Sequence, residues 1–223
     1  MAYPPASLPT RLAHCLLGTA GGMRPGVRHR GRGYPPDVVI PVEGSFNVPN
    51  QFALDVTRIR EQAREQIDRG PVTKDFGADV DAVIDVLNQV VATEIVCYLR
   101  YTQHAIVASG IDRAQVAAEF SEHAQEERAH AERAAERISQ LGGDPDFSPD
   151  ALKRSHTDYA TAAGNDLKAM LEENLVAERI VIASYREIIR WLGDGDPTTR
   201  RLMEGILEEE EEHADDLVDL LGI

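Results

Sequence analysis

The segment LEEEEEHADDL, residues 207–217, contains five consecutive glutamates directly before a histidine. Apolar residues lie seven and three positions before Glu210 and four and seven positions after it, which is the spacing of one face of an α-helix. Glu210 therefore takes a position on the apolar face, and His213 lies beside it one turn later. This arrangement indicates a polar site at the core of a helical protein, whereas a run of acids alone would be typical of a solvated helix face.

A second Glu-x-x-His pair occurs at Glu127 and His130. Chance alone produces such a pair in a chain this rich in glutamate, so the positions of the two pairs have to be considered. Apolar spacing of three and four residues predicts long helices at about 78–109, 113–141, 165–192 and 196–221. Each predicted helix has one glutamate at an otherwise apolar position: Glu94, Glu127, Glu178 and Glu210.

The spacing of these glutamates predicts two similar helical hairpins. Glu94 and Glu127 are 33 residues apart, and Glu178 and Glu210 are 32 apart. In each half a single glutamate comes first and a Glu-x-x-His pair follows, which indicates an internal repeat. The segment 143–164 is long enough to cross the length of a bundle. We therefore predict an all-α fold: an antiparallel four-helix bundle with one long crossover.

The residues before the bundle divide into two segments. Residues 52–77 predict a short helix that ends near Gly70-Pro71 and a turn, before the bundle domain at 78–223. Residues 1–51 are rich in Gly, Pro and Arg and predict an irregular N-terminal extension. Three interpretations of this extension stay open: a flexible arm, a targeting segment or an upstream start codon.

Composition limits the classes of function. The formal net charge is −15, although residues 1–50 have a net charge of +3. An acidic body suits a protein that handles cations and argues against binding nucleic acid, except through the arm from Arg24 to Arg32. No apolar run approaches the roughly 20 residues that span a bilayer, so no membrane partner is expected. With two cysteines and no disulfide framework, a reducing, cytoplasmic location is expected.

Four glutamates facing one core would be costly without counter-charge, since each unpaired buried ion loses several kcal/mol of solvation. Two divalent cations would neutralise them, and mixed carboxylate and imidazole ligands suit iron and manganese. The predicted metal ligands of a dinuclear site are Glu94, Glu127, His130, Glu178, Glu210 and His213.

Several other residues near this site allow two interpretations. Tyr101 lies two turns after Glu94 and is either core filler or a hydrogen-bonding or redox-active tyrosine. His123 is expected to flank the site, with metal ligation as the less favoured alternative. Cys97 is expected to be a small buried residue. The acids at 208, 209, 211 and 212 are expected to be solvated, although an acidic face could also attract cations. Glu122 and Glu126 are expected to be solvated as well, or to attract cations on an inner wall.

The motifs around these residues resemble the bacterioferritin branch of the ferritin-like superfamily. The resemblance covers about 78–221 and includes Leu87-Asn88 before Glu94, the sequence NLVAE at 174–178 and EEEEEH at 208–213. It implies a ferroxidase centre with the six predicted ligands, of which Glu127 and Glu210 would be the bridging carboxylates. Fe(II) would be oxidised by O₂ or H₂O₂, and Fe(III) stored in a homo-oligomeric shell.

Two departures from that family affect haem and shell size. Arg128 replaces the methionine that ligates haem in bacterioferritins, so haem is not expected. The fourth predicted helix ends near Ile223 without a fifth helix, which resembles the Dps-like branch with a bacterioferritin-type site. Shells of 12 and of 24 subunits both stay open.

Two other functions are compatible with the same residues. One is a non-storing dimetal peroxidase or catalase of the rubrerythrin or manganese-catalase kind, with manganese as a possible metal. The chain lacks a four-cysteine module of the rubredoxin type, which disfavours the rubrerythrin version. The other is a structural bundle or cargo protein.

Overall fold

A computed structural model describes residues 53–65, 67–160 and 166–223, and all regular structure within them is helical. The five α-helices are α1 (Val56–Glu65), α2 (Val80–Val107), α3 (Arg113–Gln140), α4 (Leu167–Leu192) and α5 (Pro197–Leu221). The four long helices begin and end within about two residues of the sequence-based limits. The predicted all-α fold is therefore confirmed.

Local signals in the sequence explain where the long helices begin. Asp79 accepts hydrogen bonds from the backbone N–H groups of Asp81 and Ala82 at the start of α2. Asp166 and Asp196 cap α4 and α5 in the same manner, and proline occupies the first position of α5. Aspartate at these positions satisfies backbone donors that have no partner within the helix.

The long helices pack as two hairpins. α2 packs along α3, and α4 packs along α5, while α3 lies next to α5 and α2 next to α4. Two apolar clusters fill the interior, one that includes Leu87, Ile138 and Met203 and one that includes Phe120 and Leu217. Along α3, α4 and α5 the buried glutamates lie between these clusters. The bundle therefore has a polar layer between two apolar layers.

The crossover between α3 and α4 runs beside α2. The backbone N–H of Asp146 donates to Asn88 Oδ1 (2.8 Å), and that of His156 donates to Thr93 Oγ1 (2.9 Å). A short 3₁₀ helix, Ala151–Arg154, lies within it. These bonds satisfy polar groups of both the crossover and α2, and so fix the crossover along that helix.

The N-terminal helix is shorter than predicted. A helix was expected over 52–69, whereas α1 covers Val56–Glu65 and a 3₁₀ turn follows at Ile67–Arg69. No residue of α1 is buried, so packing does not extend it. Residues 1–52 lie outside the described part of the chain, and the expectations for the extension and its Arg24–Arg32 arm lie there with them.

The prediction that no apolar segment approaches membrane-spanning length does not hold for α2. By length and composition, α2 is long and apolar enough to cross a membrane. Just over half of its apolar window (56%) is buried within the bundle, where the helix contributes Glu94 and Arg100 to the interior. A core helix of a water-soluble bundle meets the same criteria, so this is weak evidence for a membrane span.

Candidate metal centre

The structure brings the six predicted ligands together at the centre of the bundle, although they come from four helices. We call them the six-residue cluster: Glu94, Glu127, His130, Glu178, Glu210 and His213. Each has 0 or 1% of its surface exposed. Their candidate ligand atoms form two overlapping groups, within each of which all atoms lie inside 4.8 Å of one another.

The two groups share two glutamates. Glu94 and His130 belong to one group, Glu178 and His213 to the other, and Glu127 and Glu210 to both. Each Glu-x-x-His pair lies on one helix, where the i,i+3 spacing points both side chains towards the same interior. The shared positions are where two neighbouring cations would have a common carboxylate on either side.

Many polar atoms in this buried cluster have no hydrogen-bond partner. Both carboxylate oxygens of Glu127, one oxygen each of Glu94, Glu178 and Glu210, and Nδ1 of His213 are without one. Buried polar groups are normally paired, because leaving one unpaired costs about 1–3 kcal/mol. The donor set is five carboxylate oxygens and a ring nitrogen, and these unpaired atoms fit bound cations.

Burial and neighbouring groups shift the pKa values of the metal-free cluster. Burial and the charge of Glu210 raise the pKa of Glu178 to about 8, and burial raises the pKa of Glu127 well above its usual value. For His130, the hydrogen bond to Glu210 and the charge of Glu94 outweigh burial and raise the pKa to about 11. His213 is raised similarly, to about 9. Protons therefore occupy the cluster at neutral pH, and cations would displace them.

Two glutamates that were not among the predicted ligands contact the histidine ring nitrogens that point away from the cluster. Nε2 of His130 lies 2.8 Å from Glu209 Oε2, and Nε2 of His213 lies 2.8 Å from Glu126 Oε2. Arg133 Nη1 donates to the second oxygen of Glu209 (2.9 Å). The expectation that Glu209 is merely solvated was wrong. A signal was present, because both helices read Glu-Glu-x-x-His and the first glutamate of each contacts the histidine of the other.

Two tyrosines hold the remaining glutamates. Tyr101 Oη donates to Glu178 Oε1 (2.5 Å), and Tyr185 Oη donates to Glu94 Oε1. Burial raises the pKa of both phenols, so both stay protonated donors. Tyr101 was singled out from the sequence as either filler or functional, whereas Tyr185 was treated as an apolar position. Each tyrosine follows its helix's glutamate by seven residues, which is the spacing that reveals the pair.

With this geometry established, comparison with known proteins decides the family. Residues 84–223 match the model of the ferritin-like domain. The chain belongs to the ferritin-like family.

Three known proteins show how far the similarity of this chain to the family extends. The ferritin-like chain is 30% identical over 132 residues to a bacterioferritin of Desulfovibrio desulfuricans, covering 59% of this chain and 69% of the relative. It is 30% identical over 150 residues to a DNA protection during starvation protein of Pyrococcus furiosus, covering 61% and 75%. A dodecameric thioferritin, the bacterioferritin-related protein of Bacteroides fragilis, superposes with a TM-score of 0.63 at 38% identity, covering 66% and 88%.

Arg128, the residue that replaces the haem-ligating methionine, lies on the surface of α3. Its side chain is 58% exposed and pairs with Glu132 at 3.4 Å. A guanidinium is a cation and cannot ligate iron. The expectation that this ferritin-like chain binds no haem at that position stays a prediction.

Cys97 lies near the cluster, and its thiol contacts Arg100. Arg100 donates to Asn174 Oδ1 (2.8 Å) and contacts Cys97 Sγ (3.5 Å). The thiol is fully buried, and burial raises its pKa well above the ordinary value. Cys97 is therefore a small buried side chain, as predicted from the sequence.

Proposed function

We propose that this protein is a ferroxidase that oxidises Fe(II) with O₂ or H₂O₂ and stores Fe(III) in a homo-oligomeric shell. The observation behind this proposal is the six-residue cluster, in which buried carboxylates without hydrogen-bond partners form two overlapping ligand groups. Membership of the ferritin-like family and the names of two relatives, a bacterioferritin and a thioferritin, support iron storage in broad terms.

The residues of the cluster would divide the work of binding the substrate. Glu94 and His130 would hold one Fe(II), and Glu178 and His213 the other, with Glu127 and Glu210 between them. Two adjacent ions can deliver two electrons together, which suits reduction of H₂O₂ and two protons to two waters. Protons displaced from the histidines and from Glu178 when iron binds would be available at the same place.

Hydrogen bonds from the surrounding residues would keep the ligands oriented. Glu209 and Glu126 fix the ring orientation of the two histidines, and Tyr101 and Tyr185 fix one oxygen of each non-bridging glutamate. Partners of this kind define the tautomer of a ligating histidine and strengthen its basicity. In both histidines the ring nitrogen that faces Glu210 within the cluster is Nδ1, and this nitrogen would face the metals.

Two observations support storage of Fe(III): an acidic pocket beside the cluster and the dodecameric assembly of a relative. Acids of α3 and α5 line a pocket next to the cluster, where Fe(III) would leave the site. The dodecamer named for the Bacteroides fragilis relative supports a shell of twelve subunits. We place the protein in the cytoplasm, since a free, buried Cys97 suits a reducing compartment.

The decisive experiment compares Fe(II) oxidation by the wild type and two variants. Glu127→Gln removes a shared carboxylate with little change in shape, and we expect the initial rate to fall by at least about tenfold. Glu208→Gln removes an exposed acid from the same glutamate run and should leave the rate unchanged. Equal rates in Glu127→Gln and wild type would contradict the site. Rapid peroxide disproportionation with manganese and no mineral would instead support a non-storing dimetal catalase.

A further inference from the structure

A third group of possible ligands lies outside the six-residue cluster. An acidic cavity of about 140 Å³ opens between α3 and α5, and its walls include His123, Glu119 and Asp216. Candidate ligand atoms of these three residues lie within 4.8 Å of one another. None of the three belongs to either ligand group of the cluster.

His123 is a buried side chain whose polar atoms are unpaired. It is 1% exposed, and neither Nδ1 nor Nε2 has a hydrogen-bond partner. Its ring is nevertheless held in place, because it stacks on His213 (centroids 4.1 Å apart) and meets the edge of Tyr101 (5.2 Å). A fixed, buried imidazole with no hydrogen bond indicates a missing partner.

Two carboxylates approach the same nitrogen from two helices. Nε2 of His123 lies 3.4 Å from Glu119 Oε1 on α3 and 3.6 Å from Asp216 Oδ2 on α5. These separations exceed those of a good hydrogen bond. They match the distance between two ligand atoms that share one ion, since bonds of about 2.1 Å at a tetrahedral angle place the ligands about 3.4 Å apart.

The charge around these atoms also favours a cation. Within the described ranges, no Lys or Arg comes within 4.0 Å of the carboxylates of Glu119 or Asp216. Glu122 and Glu126 line the same cavity and add negative charge. The carboxylates therefore repel one another, and no Lys or Arg side chain of the described ranges offsets the repulsion. The positive charge on the cavity wall comes from His213 instead.

We propose that Glu119, His123 and Asp216 bind a further divalent cation, separate from those of the six-residue cluster. One imidazole nitrogen and two carboxylate oxygens suit first-row ions such as Zn(II), Mn(II) and Fe(II), with water completing the coordination. The proposal concerns binding alone and does not depend on oxidation at the cluster.

Zn(II) titration of the full-length protein tests the site without redox chemistry. We expect Asp216→Asn, a change at a half-exposed residue that folding tolerates, to bind one Zn(II) fewer per chain than wild type, and His123→Leu to do the same. Glu122→Gln removes the same charge from the same cavity and should bind the full number. A full complement in Asp216→Asn, or an equal loss in Glu122→Gln, would overturn the proposal.

Anomalous scattering from Zn(II)-soaked crystals separates this proposal from the proposed function. A peak bonded to His123 Nε2 and both carboxylates supports the third site, and zinc in the cluster with no peak here overturns it. A peak here with an empty cluster would contradict the ferroxidase proposal and leave the third site standing. In Glu127→Gln, which weakens only the cluster, the zinc at His123 should persist.

Discussion

Glu209 shows how a single residue acquires a role that its neighbours do not share. Glu208 is exposed, Glu210 is buried in the cluster, and Glu209 lies between them with its carboxylate bonded to His130 and Arg133. Hydrogen bonds from both partners outweigh burial and lower the pKa of Glu209. It therefore remains a carboxylate that orients a histidine through the ring nitrogen opposite the cluster.

Replacing this carboxylate should weaken metal binding without unfolding the chain. We expect Glu209→Gln to lower the affinity of the cluster for metal by about tenfold, because an amide holds the imidazole less strongly than a carboxylate. Competition with a chromophoric chelator measures the change. Glu208→Gln, one position away, is the matched control, and an equal loss there would show that general acidity matters and not the contact with His130.

The titrating residues of the cluster predict how metal-free stability depends on pH. The pKa of Glu178 is raised from 4.5 to about 8 and that of His213 from 6.5 to about 9, so the folded state holds more protons than the unfolded state. Burial lowers the pKa of His104, His123 and His156, and these groups act in the opposite direction below about pH 6.5. Stability of the metal-free protein should therefore fall as pH rises from about 6.5 to 9. Urea unfolding of chelator-treated protein across this range tests the sign. Saturating Zn(II) should flatten the dependence, and stability that rises over this window would contradict the charge assignment.

At the scale of the helices, a buried ion pair connects the end of α3 to the start of α5. Both carboxylate oxygens of Asp196 accept hydrogen bonds from Arg137 Nη2 (3.1 Å), and Oδ1 also caps α5 through the backbone N–H of Thr199 (2.9 Å). Arg137 Nε donates to the hydroxyl of Thr199 (2.8 Å). Asp196 is 1% exposed and Arg137 6%, so each depends on the other for its charge balance.

Because of this ion pair, the cap of α5 should contribute more to the free energy of unfolding than the cap of α4. Asp196→Ala should destabilise the protein by about 3–5 kcal/mol, because the variant loses the cap and leaves Arg137 buried and unpaired. Asp166→Ala removes the cap of α4, where no arginine of the described ranges pairs with the aspartate, and should cost about 1 kcal/mol. Chemical denaturation of the metal-loaded forms compares the two. Equal losses would mean that the ion pair adds nothing beyond capping.

At the scale of the whole molecule, α2 exposes apolar side chains that a single copy of the chain does not cover. Leu99 is 40% exposed and Ile106 is 71% exposed, two turns apart on the same helix face. A helix this apolar is normally covered, and α2 is only partly covered by its own bundle. A second copy of the chain in the proposed shell would cover that face.

Assembly can be tested at this face. We expect the wild type to have a solution mass of about 290 kDa, twelve chains of 24.5 kDa each. Leu99→Asp should reduce the mass, since the monomer tolerates a charge at this half-exposed position but an apolar contact does not. Leu99→Met keeps the contact apolar and is the control. Multi-angle light scattering gives the masses, and a full shell in Leu99→Asp would place the interface elsewhere.

The sequence by itself determined the helices and the residues of the cluster. Apolar spacing defined α2 to α5 to within about two residues, and a glutamate on each apolar face identified itself, because helical periodicity is a local property of the chain. The spacing of Glu94 and Glu178 from their Glu-x-x-His partners could likewise be counted along the sequence.

Only the tertiary structure decided which side chains meet across helices. Glu209 looked solvated from its own helix, and its contact with His130 arises because α3 lies next to α5. Tyr185 occupies an apolar position of its own helix, and its hydroxyl lies against Glu94 on another helix. His123 has carboxylates from α3 and α5 beside one ring nitrogen, a juxtaposition that no spacing along one helix encodes. Contacts between helices depend on their packing and relative rotation, and one helix's periodicity contains neither.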